Sequence, residues 1–197
     1  MHHSITAEFS LNTPLFASGA DRDSPELRVT EIKAALRFWW RAMNYSLYVT
    51  DPDGFVDTEA QLFGGANASQ GQGVLVSLIG VDNMSDKASI RYIYKDFEEL
   101  PGARYLGYGL MAYADSNGNP NANPPKPPAK KAQLDRSCIK PGGTFKIRLN
   151  WRNKAASLGD TEFQAHLVQA LKTFGTFGGL GSRSRRGYGS VTLQSLK

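Results

Sequence analysis

Residues 178–190 read Gly-Gly-Leu-Gly-Ser-Arg-Ser-Arg-Arg-Gly-Tyr-Gly-Ser, with five glycines, three arginines and no acid. Glycine lets the backbone turn at positive φ and approach a ligand closely. Arginine supplies a permanently charged planar fork that fits phosphate and stacks on bases. The combination describes a phosphate-gripping loop. No Lys-Ser or Lys-Thr follows the glycines, so it is not a Walker A loop. A helix pattern precedes it rather than a strand, which argues against a dinucleotide fingerprint. The competing reading is a flexible glycine hairpin with solvated arginines, and charge placement decides between the two. The chain carries 23 Lys and Arg against 18 Asp and Glu, a net charge of +5. No acid follows Glu162, whereas Lys172, Arg183, Arg185, Arg186 and Lys197 do. The whole excess therefore lies in the last segment, as a polyanion site requires.

A second set of cations is Lys33, Arg37 and Arg41, spaced by four. They fall on a helix predicted over residues 30–43, with Thr30 as its cap. Ile32, Leu36, Trp39, Trp40 and Met43 make its apolar face. The cations form a stripe beside that face, and no acid alternates with them after Glu31. Trp39 is expected in the core. Trp40 borders the stripe and is expected to pack and to bind.

Other reactive side chains are sparse. Imidazole chemistry could come only from His2, His3 or His166. His166 lies at the edge of a predicted apolar helix face and reads as a boundary residue. Cys138 is the single cysteine, so no internal disulfide forms, which fits a reducing cytoplasm. Asp21 and Asp23 flank Arg22 in a loop. Paired carboxylates can hold Mg²⁺ against a phosphate, but Asp, Ser and Pro also simply build turns, the reading preferred here. No metal site or cofactor is predicted. Residues 186–193 partly match the RNP1 pattern of RRM domains. Ser190 and Leu193 replace two of its aromatics, and the helix and strand that follow it in an RRM do not follow here.

The elements that must position these residues are legible in outline. Composition is that of a globular protein, 41% hydrophobic and 21% charged. The longest apolar run, about residues 74–81, is too short to span a bilayer. No signal-peptide pattern opens the chain, so a cytoplasmic protein with no membrane partner is expected. Strands are predicted over residues 5–12, 74–81, 90–94, 104–114, 144–151 and 190–196. Residues 13–28 read as a long loop, and residues 59–63 as a single helical turn stopped by Gly64-Gly65. A last helix, capped by Asp160, buries Phe163, Leu167, Ala170, Leu171 and Phe174, and ends at Gly175. The Pro/Asn-rich segment 115–131 cannot bury a core and is expected to be mobile or extended. The order predicts a ferredoxin-like α+β domain, βαββαβ, with an antiparallel sheet and helices on one face. One domain spans residues 1–197, with an insertion at about 82–142.

Four stretches together resemble a known family. They are Thr13-Pro14-Leu15-Phe16, the helix segment from Glu31 to Ala42 with its Leu-Arg-Phe-Trp-Trp-Arg core, Leu62-Phe63-Gly64-Gly65, and the glycine loop. They resemble the RAMP superfamily of CRISPR proteins, and within it the first-subunit family of the Cmr, or type III-B, effector complexes. That resemblance implies a ferredoxin-like domain that binds guide or target RNA, single-stranded, alongside other Cmr-type subunits in antiviral defence. It implies a position toward the guide's 3′ end, a part in target capture, and no role in cutting. Members commonly carry two such domains, and this chain has room for one. Lys33, Arg37, Trp40 and Arg41 would line one side of an RNA groove, and Arg183, Arg185 and Arg186 the other. Gly179 and Gly181 would meet phosphates through their amides, and Tyr188 would stack on a base. The competing classes are a RAMP ribonuclease, using Asp21 or Asp23 with a metal or His166 without one, and a structural subunit whose arginines meet an acidic protein.

Overall fold

The computed structural model describes residues 2–19, 24–65, 73–84, 87–89, 105–107, 110, 137–152 and 158–197. Two alternating strands dominate it. Strand β1 (His2–Leu11) buries Ile5, Ala7, Phe9 and Leu11, and strand β5 (Thr144–Arg152) buries Phe145, Ile147, Leu149 and Trp151. Their antiparallel register sets Ile5 opposite Leu149, Ala7 opposite Ile147 and Phe9 opposite Phe145. Residues directly opposite point to the same face, so one side of the sheet is apolar. The other side carries polar pairs such as Glu8 opposite Lys146.

Strand β2 (Leu75–Asp82) flanks β5, and β6 (Val191–Leu196) flanks β1. The sheet order is β2-β5-β1-β6, every neighbour antiparallel. β1 and β2 run the same way with β5 between them, which is the split βαβ of the ferredoxin-like fold. Between β2 and β5 lies a small second sheet of β3 (Lys87–Ser89) and β4 (Ser137–Ile139).

Helices α1 (Val29–Met43) and α4 (Asp160–Phe177) close the apolar face. Ile32, Leu36 and Trp40 from α1 share one core with Leu167, Leu171 and Phe174 from α4 and the inward residues of the sheet. Phe174 tilts against Phe9 at 5.1 Å, and Phe9 stacks on Phe145 at 5.3 Å. The predicted buried face of α4 matches: Phe163, Leu167, Ala170, Leu171 and Phe174 are all buried.

Several boundaries differ from the sequence reading. The cap of α1 is Arg28, with no side-chain capping bond, and Thr30 lies inside the first turn. Met43 is exposed and Trp39 only partly buried, so Trp40 is the tryptophan at the centre of the core. The single turn read at residues 59–63 is the end of a longer helix, α3 (Pro52–Phe63), and a short helix α2 (Tyr45–Thr50) precedes it. Asp51 accepts from the Gly54 amide at 3.0 Å, and Pro52 takes the first position, a standard helix start. Helix α4 follows a Gly159 cap and continues past Gly175. That glycine gives β6 room, since a Cβ there would lie 2.8 Å from the Leu193 amide nitrogen. Tyr105 and Leu106 sit in a helical turn rather than a strand. Residues 90–94 and the segment 115–131 lie outside the described residues. Among the described residues no helix is long and apolar enough to cross a membrane.

Candidate functional site

The glycine loop leaves the C-terminus of α4 and returns as β6, and it is built against the first loop of the chain. Ser182 N–H donates to Phe16 O and Gly189 N–H to Pro14 O, both at 2.8 Å. Thr13 Oγ1 donates to Gly187 O at 2.7 Å and accepts from Ser190 N–H at 2.8 Å. Leu15 exchanges two backbone bonds with Ile139 of β4, so the first loop is itself held on its far side. Inside the loop, Leu180 N–H donates to Gly189 O, and residues Ser184–Arg186 form one 3-10 turn.

Two of the loop's glycines also have a packing role. Gly181 sits at φ 72°, and a Cβ there would lie 2.6 Å from Phe16 O. Gly179 is bridged to Ser190, and a Cβ on it would meet Gly189 O at 3.2 Å. Gly181 lets the loop pack on the first loop, Gly179 lets it close on itself, and much of the loop's hydrogen bonding is internal. Gly187 differs: its φ is 86°, and nothing lies within 4 Å of where its Cβ would be.

The arginines stand on this anchored loop. Arg183 occupies the left-handed region at φ 64°, the capping position before the 3-10 turn. Arg185 is exposed, and its guanidinium carbon lies 5.2 Å from the centroid of the Phe38 ring. Arg186 donates to Tyr105 O at 3.0 Å and lies over the Tyr105 ring at 5.3 Å. None of the three has an acidic partner among the described residues. Beside them a cleft of about 830 Å³ opens between the loop and α1. Gly178–Ser182 and Arg185 form one wall, and Glu31, Ala34, Ala35, Phe38 and Trp39 the other, with Phe177 at the end of α4 completing it.

The basic stripe of α1 lies on a different arc and does not line this cleft. Positions 34, 35 and 38 face the glycine loop, and the 33–37–41 row faces α3 and β2, as the 100° step per residue requires. Arg37 and Arg41 both pair with Glu59 of α3, whose side chain is only 6% exposed. Burial pushes the Glu59 carboxyl up, but hydrogen bonds from Arg41 and Arg37, with their charges, outweigh it and hold it below its ordinary value. Lys33 donates to Val74 O at 2.9 Å. Burial, with neighbouring Arg37, lowers its pKa. The expected groove with this stripe on one side and the loop arginines on the other is therefore replaced by two separate sites. The sequence reading placed Glu59 in a single helical turn and missed its pairing with α1, which only the packing of α3 on α1 creates.

Two expected contact residues are interior. Trp40 is fully buried, and its Nε1–H donates to His166 Nδ1 at 3.2 Å. Tyr188 is 7% exposed and packs edge-on against Phe16 at 5.5 Å, so its ring offers no stacking face. The exposed aromatics that line the cleft are instead Phe38 and Phe177. Their signal was present: Phe38 is an aromatic on the polar arc of an amphipathic helix, where the core cannot use it.

His166 is half-buried against Trp40 and is not in the cleft. Cys138 is buried, and burial pushes its thiol up to about 11. Asp21, Arg22 and Asp23 lie outside the described residues. Among the described residues no group of three or more His, Cys, Asp or Glu side chains is placed to hold a metal ion.

A ferredoxin-like sheet with an anchored glycine-arginine loop after its second main helix defines a class. The chain belongs to the RAMP superfamily, whose family model matches residues 8–192. It is similar to the CRISPR system Cmr subunit Cmr1-2 of Pyrococcus furiosus, 26% identical over 187 residues, which cover 94% of this chain and 92% of that protein. Its fold is shared with crystalline Cmr1 from Pyrococcus furiosus in its apo form, at TM-score 0.63 and 21% identity over 99% of this chain and 50% of that one. It is shared too with a chain of the type III-B Cmr-beta complex bound to cognate target RNA and AMPPnP, at TM-score 0.57 and 16% identity over 100% of this chain and 56% of that one. The chain thus spans about half the length of these solved chains.

Proposed function

We propose that this chain is an RNA-binding, non-catalytic subunit of a type III-B RNA-guided effector complex, a single RAMP domain acting near the guide 3′ end in target capture. Similarity to Cmr1-2 and the shared Cmr1 fold support the complex, and the solved relative bound to cognate target RNA supports the ligand. The observation that carries the reading is the loop's charge. Arg183, Arg185 and Arg186 stand on a braced loop, with no acid paired to them among the described residues and none in the sequence after Glu162. Uncompensated cations on a fixed backbone are the footprint of phosphate binding. In this reading Arg183 and Arg185 contact phosphates directly, and open Gly187 lets the strand pass close to the backbone. Arg37 and Arg41, held by Glu59, form a second phosphate station on the other side of α1. Base pairing with the guide selects the target, and the protein holds backbone.

Fluorescence anisotropy of labelled single-stranded RNA at two salt concentrations tests this reading. Each phosphate contact contributes about −0.7 to the log–log salt slope. Binding with little sequence preference and a slope of that kind is expected, and replacing Arg183, Arg185 and Arg186 together with Ala removes most of it. Unchanged binding by that variant would show the loop to be structural. RNA cleavage lost on Asp21→Ala or Asp23→Ala would overturn the non-catalytic part.

A further inference from the structure

We propose that the cleft between α1 and the glycine loop receives one unstacked nucleobase of single-stranded RNA, held against Phe38, Trp39 and Phe177. This rests on the RNA-binding reading above and names what the cleft itself takes. The cleft is about 830 Å³, within the range of sites that enclose small organic ligands. Its aromatic wall is continuous. Phe38 meets Trp39 edge-on at 5.3 Å, and Trp39 tilts toward Phe177 at 6.0 Å. Phe38 is 45% exposed and Phe177 69%. Ala34 and Ala35 leave the space in front of these rings open, and the facing wall is glycine-rich backbone.

Charge separates base from phosphate. Among the described residues only two charged residues line the cleft, Glu31 and Arg185. A phosphate inside would face the Glu31 carboxylate, which Arg28 Nη2 already engages from one side at 2.9 Å. A neutral base meets no such repulsion. The phosphate belongs beside Arg185, which lines the cleft and whose guanidinium carbon lies 5.2 Å from the Phe38 ring centroid. A base entering there has an aromatic ring and a guanidinium plane to stack on, as single-strand binders use.

The test compares a short labelled oligouridine with an abasic ribose-phosphate oligomer of the same length, by anisotropy with the full chain. The expected result is roughly tenfold tighter binding of the base-bearing strand, in the range that base stacking supplies. The Phe38→Ala, Phe177→Ala double variant is expected to bind both strands equally, at the abasic level, with an unchanged salt slope. Phe177→Leu keeps apolar area without a π face and is expected to lose part of the discrimination. Both phenylalanines are exposed, so a thermal midpoint close to wild type confirms an intact fold. If wild type binds the two strands alike, or the double variant still discriminates, the base proposal is wrong while RNA binding stands, and the aromatic wall belongs to a partner protein. If neither strand binds in a salt-dependent way, the underlying RNA reading fails first.

Discussion

Trp40 donates its indole N–H to Nδ1 of His166, 126 residues further along the chain, at 3.2 Å. The acceptor must be unprotonated, so the imidazole is neutral with its proton on Nε2. Burial lowers the His166 pKa, and Glu162 only partly offsets this. In the folded state the group therefore binds protons less readily than in the unfolded chain. Its contribution is complete above the ordinary imidazole value of about 6.5 and is lost as pH falls through the lower folded value. Urea titrations at pH 7.5 and just below 6 should show a stability loss that His166→Gln largely removes. His166→Ala, which leaves the buried indole N–H unpaired, should cost about 1–3 kcal/mol at pH 7.5.

Glu59 sets a second, more acidic limit. Its carboxyl is held below the ordinary value, so its share of stability is present above about pH 4.3 and disappears as pH falls through the folded value. Glu59→Ala should cost about 1–3 kcal/mol, because Arg37 and Arg41 keep access to water and are not stranded. The same variant also reads the second phosphate station. Removing a negative charge should by itself strengthen RNA binding, whereas loss of the brace frees both arginines. We expect weaker binding in anisotropy, and tighter binding would show that Glu59 competes with RNA.

The glycines of the loop separate by mechanism. Gly181→Val forces a side chain into Phe16 O at a positive φ and should lower the melting midpoint by several degrees. Gly187→Ala keeps an unfavourable φ but meets nothing, so a cost of about 1 kcal/mol is expected. Equal midpoints for the two variants would mean that the loop does not lean on the first loop in solution.

Arg183 and Arg185 should separate from Arg186. The first two make no hydrogen bond or ion pair through their guanidinium groups within the described structure, whereas Arg186 is tied to Tyr105 O. Arg183→Ala and Arg185→Ala should each weaken RNA binding and reduce the salt slope by about 0.7. Their thermal midpoints should stay within a degree or two, as for exposed charges generally. Arg186→Ala should lower stability as well as affinity.

Much of the frame could be read from residue order, because it rests on periodicity. Alternation in β1 and β5 and the 3.6-residue repeat in α1 and α4 identify their buried faces almost residue by residue. What escaped were features set by tertiary contact. Trp39 and Trp40 are adjacent on one helix, and only packing against Phe55 and His166 decides which is interior. Tyr188 looked like a binding ring because its neighbours are polar, yet Phe16 covers it. The cations at 37 and 41 looked uncompensated because their acid lies on another helix. Asp51-Pro52 did announce that helix, and its alternation with apolar residues was too weak to extend the reading beyond one turn.

Thr13 and Gly187 are joined by a hydrogen bond across 174 residues. The contact order of this site is therefore close to the largest the chain permits. β1 is a central strand, but both its partners lie beyond residue 143, so during synthesis it waits unpaired while most of the chain is made. Pairings of that kind form slowly. The arginine loop can be braced only after this last closure, so a nascent or half-folded chain displays no finished loop surface, and on the RNA-binding proposal capture would be reserved for molecules whose folding is complete.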